Sequence, residues 1–360
     1  MKDSPVRFAA VDAFKAIASQ LIVLHHLAAY GPLSNAVQAV APQLISWLYD
    51  NVRMAVQVFI VIGGYLSARA LFPGCGHFSG SLPTAITNRY LRLAIPYLAA
   101  LLLSVASAAL ARHWMTDEFI PDPPTWSQAL AHIFLLQGLL DYEALSAGAW
   151  YVAIDFQLFA LMAAILWLGH KMHFVAQVSK YFIPMLVTAL AGASLFWFNR
   201  NPELDVWAPY FFGAYGMGAA TYWAGRHAYR NATWLGVMVV LAVIALLVDF
   251  RARIAVALVV TLLLWIAGRS TRIERWTSVG VLHYLGRISY ALFLMHFPVL
   301  LLANALFAHL GYSSPIVGSV SMVAAWGASI LVATVFCRWI EVPASTLKVQ
   351  TLARYWTNTR

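Results

Sequence analysis

Along most of this chain the apolar residues follow one another without the alternation of a half-buried strand or the narrow stripe of a surface helix. They form runs of about twenty, the length that crosses a ~30 Å hydrocarbon layer. The runs fall near residues 9–30, 52–72, 93–111, 148–168, 181–198, 206–224, 233–250, 254–268, 285–307 and 315–337. This pattern predicts an all-α, polytopic membrane protein with about ten transmembrane helices. The longest interruption, 112–147, carries Asp117, Glu118, Asp122, Asp141 and Glu143, with Pro121, Pro123 and Pro124 stopping any helix early. Its stretch SQALAHIFLLQGLL is too short to span, which predicts an outer-face loop with a short interfacial or re-entrant helix. No repeat, low-complexity tract or linker divides the chain. Residues 1–360 read as one membrane-embedded domain ending in a tail at 340–360.

Composition agrees with the pattern: 62% of residues are hydrophobic, 10% are charged, and the mean hydropathy is +0.73. The formal charge of +9 does not point to nucleic acid, because the basic residues are scattered between apolar runs instead of clustered on a polar face. They report orientation instead. With the N-terminus inside, only Arg53, Arg112, Arg200, Arg251 and Arg253 face out, and the other 18 of the 23 Lys and Arg residues face in. Both termini are then cytoplasmic. The short run 254–268 is kept as a span because dropping it would reverse this asymmetry. Cys75 and Cys337 fall on the inner side, where reduced thiols are expected. Asp12, Lys15 and a histidine pair interrupt the first run, so it reads as a retained span and not as a cleaved leader.

That first run, KAIASQLIVLHH, places one ammonium and two imidazoles among apolar residues. At ~100° per residue, Lys15 and His26 differ by only about 20° in azimuth, while His25 lies about 80° away. Asp12 and Ser19 fall near the same face. The rise between Lys15 and His26 is about 16 Å, too far for contact but suited to gripping two parts of one elongated ligand. The plainer reading is that Lys15 snorkels or pairs with Asp12 and that His26 bonds a neighbouring helix. Ionisable groups in a span are expensive and usually face a cavity, which favours function for the face as a whole.

Other spans hold polar groups that lipid does not explain. GAWYVAIDFQLFALM contains Tyr151, Asp155 and Gln157; GRISYALFLMHFPVLLL contains Ser289, Tyr290 and His296; Arg53 opens the second run ahead of FIVIGGYL; Arg69 closes it, and Arg89 and Arg92 form a basic collar in RYLRLAIPYL. His170 and His173 lack further ligands nearby, so no metal site is expected.

Five stretches, in order, resemble the acyltransferase-3 family of membrane proteins over nearly the whole chain: RFAAVDAFKAIASQLIVLHH, FIVIGGYLSARAL, NRYLRLAIPYL, WYVAIDFQLF, and ISYALFLMHFPV with WIEVP. The chain departs from the family pattern at Gly63, where serine is usual, and at Asp155, where glutamate is usual. The resemblance implies an acyl-CoA donor, usually acetyl-CoA, taken from the cytoplasm, and a hydroxyl acceptor on a glycan or glycolipid at the outer face of a bacterial inner membrane. It also implies that His26 is central to the chemistry and that Lys15 supports it. The catalytic set is then His26, Lys15, Asp12 and Asp155. Arg69, Arg89, Arg92 and Lys15 are expected to hold the donor, its phosphates suiting forked guanidinium donors. Arg53, Tyr151, Gln157, Tyr290 and His296 are expected to meet the acceptor. His26 can serve as general base or as transient acyl carrier, and sequence does not separate the two. The competing class is a proton-coupled transporter or flippase using Asp12, Lys15, Asp155 and His296 as a relay. The inverted repeats common in such folds are not seen.

Overall fold

The computed structural model describes residues 8–73, 78–176, 181–225 and 232–347, and all regular structure among them is helical. Lys2, Arg7, Cys75, Lys180, Arg226, Arg230, Lys348, Arg354 and Arg360, all assigned to the inner side above, lie outside the described residues, with most of the 340–360 tail and the side chain of His173.

The first run forms α1 (Ala9–Ala29), which turns by 83° into α2 (Gly31–Gln38). Then α3 (Pro42–Asn51) leads through a 3-10 turn at Val52–Ala55 into α4 (Val56–Leu71). Pro32 and Pro42 sit in the first turns of α2 and α3, where a missing N–H removes no intrahelical bond. There follow α5 (Leu82–Trp114), α6 (Trp126–Ile133), α7 (Ala149–Ala176), α8 (Phe182–Phe196), α9 (Ala208–Ala224), α10 (Thr233–Val248), α11 (Ala252–Ala267), α12 (Thr271–Thr277), α13 (Gly280–Arg287), α14 (Ser289–His309), α15 (Pro315–Phe336) and α16 (Val342–Thr346).

Each of the ten apolar runs lies on a helix, but they are not equally long. Among the described residues six stretches are long and apolar enough to cross a membrane: Pro42–Leu71, Leu82–Trp114, Ala149–Met172, Phe182–Arg200, Ser289–His309 and Pro315–Thr346. The bent pair α1–α2 adds a seventh if it is one span. Of the ten expected spans, α9, with 17 residues, and α10 and α11, with 16 each, fall below the length of the others. At ~1.5 Å per residue these reach about 25 Å, short of a ~30 Å core.

The chain divides into two units. Unit one comprises residues 1–18, 56–89 and 154–287. Its centre is α9, in which every residue but Pro209 is buried, as expected of a helix apolar on all sides. α4, α8, α10 and α11 surround it. The tightest crossing is α4 on α9: a Cβ at Gly64 would collide with the Tyr215 carbonyl and one at Gly218 with that of Val61. Small residues thus let two backbones approach, the usual means of helix association in lipid.

Unit two comprises residues 19–55, 90–153 and 288–360. Here α14 packs on α15 and both contact α2, with Gly318 against Ala36. In the polar connection Thr125 caps α6 in a reciprocal box with Gln128. Trp126 (89% exposed), Leu130 and Phe134 face outward from this element, while His132 is fully buried. His132 donates from Nδ1 to the Gln128 carbonyl (2.9 Å) and accepts the Leu145 N–H at Nε2 (3.2 Å).

Candidate active site

In unit two, His26 lies on the last turn of α1 and His296 near the middle of α14; they are 9% and 1% exposed. Their rings stack with centroids 4.8 Å apart, and His296 Nε2 is 2.9 Å from His26 Nδ1. The neighbouring bond fixes which nitrogen carries hydrogen. His296 Nδ1 is 3.2 Å from the Leu292 carbonyl, which only accepts, so Nδ1 holds the proton. In the neutral ring Nε2 is then the acceptor, and His26 Nδ1–H donates to it. The remaining nitrogen of His26, Nε2, carries a lone pair, the state a general base requires.

Aromatic rings close around this pair. Tyr30 stacks on His26 at 5.6 Å and 5°, and Tyr30 is itself stacked on Phe119 at 5.5 Å. His25 is otherwise occupied: its Nδ1–H donates to the Leu48 carbonyl on α3 (3.1 Å). Of the predicted acceptor residues, His296 joins His26 directly. Tyr151 packs edge-on against Phe293, one turn before His296 on α14. Tyr290 donates to the Leu93 carbonyl (3.0 Å), which fixes α14 to α5. Arg92 and Arg53 are exposed.

Unit one holds the remaining predicted residues, and several have partners that sequence did not reveal. Asp155 pairs with Arg89 at 2.5 Å, and the Arg89 guanidinium also lies over the Phe159 ring. Both side chains are largely buried, and this guanidinium is neutralised by a carboxylate. A Cβ at Gly63 would lie 3.1 Å from the Tyr215 ring and 3.5 Å from Asp155 Oδ1. The glycine found where the family usually has serine thus leaves that space to Tyr215, whose hydroxyl bonds Ser67 (2.6 Å). Gln157 uses both amide atoms on the start of α9: its Nε2 donates to the Val206 carbonyl and its Oε1 accepts the Ala208 N–H. That makes it a cap for the start of α9. Asp12 meets His283 of α13 at 3.2 Å, beside the close packing of Gly286 on the Asp12 backbone. Lys15 is half-buried on α1.

Arg69 lines a cavity of about 620 Å³ with Phe8, Tyr65, Tyr222, Trp265 and Arg269. The Arg269 guanidinium lies 4.2 Å from the centre of the Trp265 indole. Sequence reasoning counted Arg269 only as an orientation charge; it is drawn into a site because the end of α11 meets the end of α4. Among the described residues no cluster of three or more His, Cys, Asp or Glu forms a metal site.

The long apolar helices, with a buried imidazole pair among them, define a multi-pass membrane protein. The chain belongs to the acyltransferase-3 family, whose acyltransferase-domain model matches residues 8–341, nearly the whole length. It is therefore a membrane acyltransferase. No curated protein and no solved structure matches it.

Proposed function

We propose that this protein transfers an acyl group, acetyl in the first instance, from cytoplasmic acyl-CoA to a hydroxyl of a surface or exported glycan, working in the bacterial inner membrane. The observation that carries the reading is the His26–His296 pair, which presents His26 Nε2 as an unprotonated base. In the step we assign to it, Nε2 takes the proton from the acceptor hydroxyl as its oxygen attacks the thioester carbonyl. The carbon–sulfur bond then breaks, and the departing thiolate recovers the proton from Nε2. His296 holds the ring in the required tautomer throughout and shares the charge that develops on it.

The cavity at Arg69 and Arg269 supports a donor with an anionic end. Two guanidiniums suit phosphate oxygens, and Trp265, Tyr65 and Tyr222 offer faces for a planar base. With the N-terminus inside, as the charge pattern suggests, we read this opening as facing the cytoplasm. We assign Arg69 and Arg269 to the donor's anionic end beside the earlier assignments of Arg89 and Arg92, and keep Lys15 and Asp12 as residues that support the chemistry.

The test is acetyl transfer in membrane vesicles, read as CoA thiol released in step with O-acetyl appearing on glycan, an increment of ~42 Da on the product of acyl transfer. His26→Ala is expected to abolish both signals while the protein still accumulates in the membrane. Full activity in that variant overturns the assignment. Substrate uptake with no thiol released supports the transporter instead.

A further inference from the structure

We propose that Asn304 is a positioning residue for His26, acting through the corner between α1 and α2. This rests on the reading of His26 as the base. The chain turns by 83° just after the imidazole, at Gly31, whose φ is +80°. A side chain there is excluded twice: the backbone lies in the left-handed region, and a Cβ would sit 2.5 Å from Asn304 Oδ1 and 2.9 Å from the Phe119 ring. The corner leaves polar ends to satisfy. Ser34 Oγ donates to the Ala28 carbonyl at the end of α1 (2.5 Å), and the Leu33 N–H at the start of α2 donates to Asn304 Oδ1 (2.9 Å). Buried N–H groups need an acceptor and no neighbouring side chain of α2 supplies this one, so Asn304 caps α2 from another helix. Its own amide nitrogen is fixed by the Leu300 carbonyl (3.1 Å), and the residue is fully buried.

Tyr30 stands between this clamp and the base. It is the residue immediately before Gly31, its backbone is extended (φ −127°, ψ 129°), and its ring lies parallel to that of His26. A shift of the corner therefore moves the ring that seats the imidazole. α14 touches the corner at two points eight residues apart, His296 on the imidazole and Asn304 on the turn. Together these contacts set the register of α1 on α14, and with it the 2.9 Å hydrogen bond on which the tautomer depends.

The test uses the full chain in membrane vesicles fed acetyl-CoA, with Vmax and KM normalised to folded protein by gel filtration in detergent. Asn304→Leu keeps the size but removes the acceptor. Because a displacement of ~1 Å at a reacting group can cost ~100-fold, Vmax is expected to fall about tenfold or more with KM for acetyl-CoA within about twofold. Asn304→Asp, in the neutral acid form, retains Oδ1 for Leu33 and offers a hydroxyl to the Leu300 carbonyl in place of the amide, and is expected to keep at least about a third of Vmax. Tyr30→Ala is expected to match Asn304→Leu, and the double variant to lie within about threefold of the worse single one because both break the same link. Near-normal Vmax in Asn304→Leu, equal losses in the Leu and Asp variants, or losses that multiply would each overturn the proposal. His26→Ala separates the two levels: if it is inactive and Asn304→Leu is normal, only this inference fails.

Discussion

Replacing His296 by leucine tests the chemistry where it is most exposed to refutation. The change deletes the acceptor 2.9 Å from His26 Nδ1 and leaves the rest of α14 apolar. Two costs follow. A buried N–H that loses an acceptor is penalised by ~1–3 kcal/mol; His26 Nδ1–H keeps only the Ile22 carbonyl one turn back, so its hold on the proton weakens, and a proton moved to Nε2 removes the lone pair from the nitrogen assigned as base. The ring also loses the bond that orients it. Taking ~1.5–3 kcal/mol for the combined loss, Vmax should fall about 10- to 100-fold, since each ~1.4 kcal/mol is a factor of ten. The donor KM should change little, because no donor contact is removed. His296→Gln offers an oxygen near the position of Nε2 and should recover most of the loss. The assay is labelled acetyl transfer from acetyl-CoA in vesicles across pH 5.5–8.5, with variant levels matched by immunoblot. If the leucine variant turns over at the wild-type rate, or if the glutamine variant is as slow as the leucine one, His296 does not set the tautomer and the derivation fails.

Two further outcomes follow from other parts of the molecule. Arg69→Ala and Arg269→Ala should each raise KM for acetyl-CoA about tenfold, the scale of one lost charge-assisted contact. They should leave transfer from a truncated acetyl thioester of N-acetylcysteamine unchanged; an equal loss with both donors refutes a nucleotide-end role for the cavity. In the outer connection, burial holds the His132 imidazole below its ordinary 6.5, with the bond to the Gln128 carbonyl opposing this in part. The unfolded segment therefore binds the proton first, so local stability is complete above pH 6.5 and is lost as the pH falls below it. Exchange protection of the Leu145 amide, corrected for intrinsic rates, should fall over that range and lose its pH dependence in His132→Phe.

What the sequence disclosed and what it concealed divide along the distance between partners. The spacing of Lys15 and His26, the basic collar and the family stretches are local, and the family was legible from them. The His26–His296 bond joins residues 270 apart in the chain and depends on the packing of α14, which no periodicity encodes. Arg89 illustrates the converse. In RYLRL it reads as one of two equivalent anion holders, but packing brings Asp155 to 2.5 Å from it and leaves Arg92 exposed. The partners of Gln157 were hidden for the same reason, both lying at the start of α9. The helices α2 and α3 were passed over because residues 31–51 are too short and mixed to span; Pro32 and Pro42, each suited to a first helical turn, were the signals available. Length alone passes over α9, α10 and α11, where apolar character suits burial in protein as well as burial in lipid.

The two polar clusters share a constraint that explains why the base has an imidazole partner instead of a carboxylate. Among buried groups far from water, charge is tolerated only when it is neutralised nearby. Asp155 satisfies this by pairing with Arg89, and a paired carboxylate is a weak acceptor for anything else. His26 has His296, neutral at rest, so the pair adds no standing charge to the span. A neutral partner offers a developing imidazolium less stabilisation than a carboxylate would. For transfer from a thioester this is acceptable. The leaving thiol has a pKa near ~8.5, so its carbon–sulfur bond breaks without strong assistance, and a weakly held proton returns to sulfur readily. On this argument a carboxylate at position 296 would gain basicity at the cost of an unpaired charge beside α1, and His296→Asp should be slower than His296→Gln, though its side chain also offers an oxygen acceptor. The reverse order would show that base strength, not neutrality, limits the reaction.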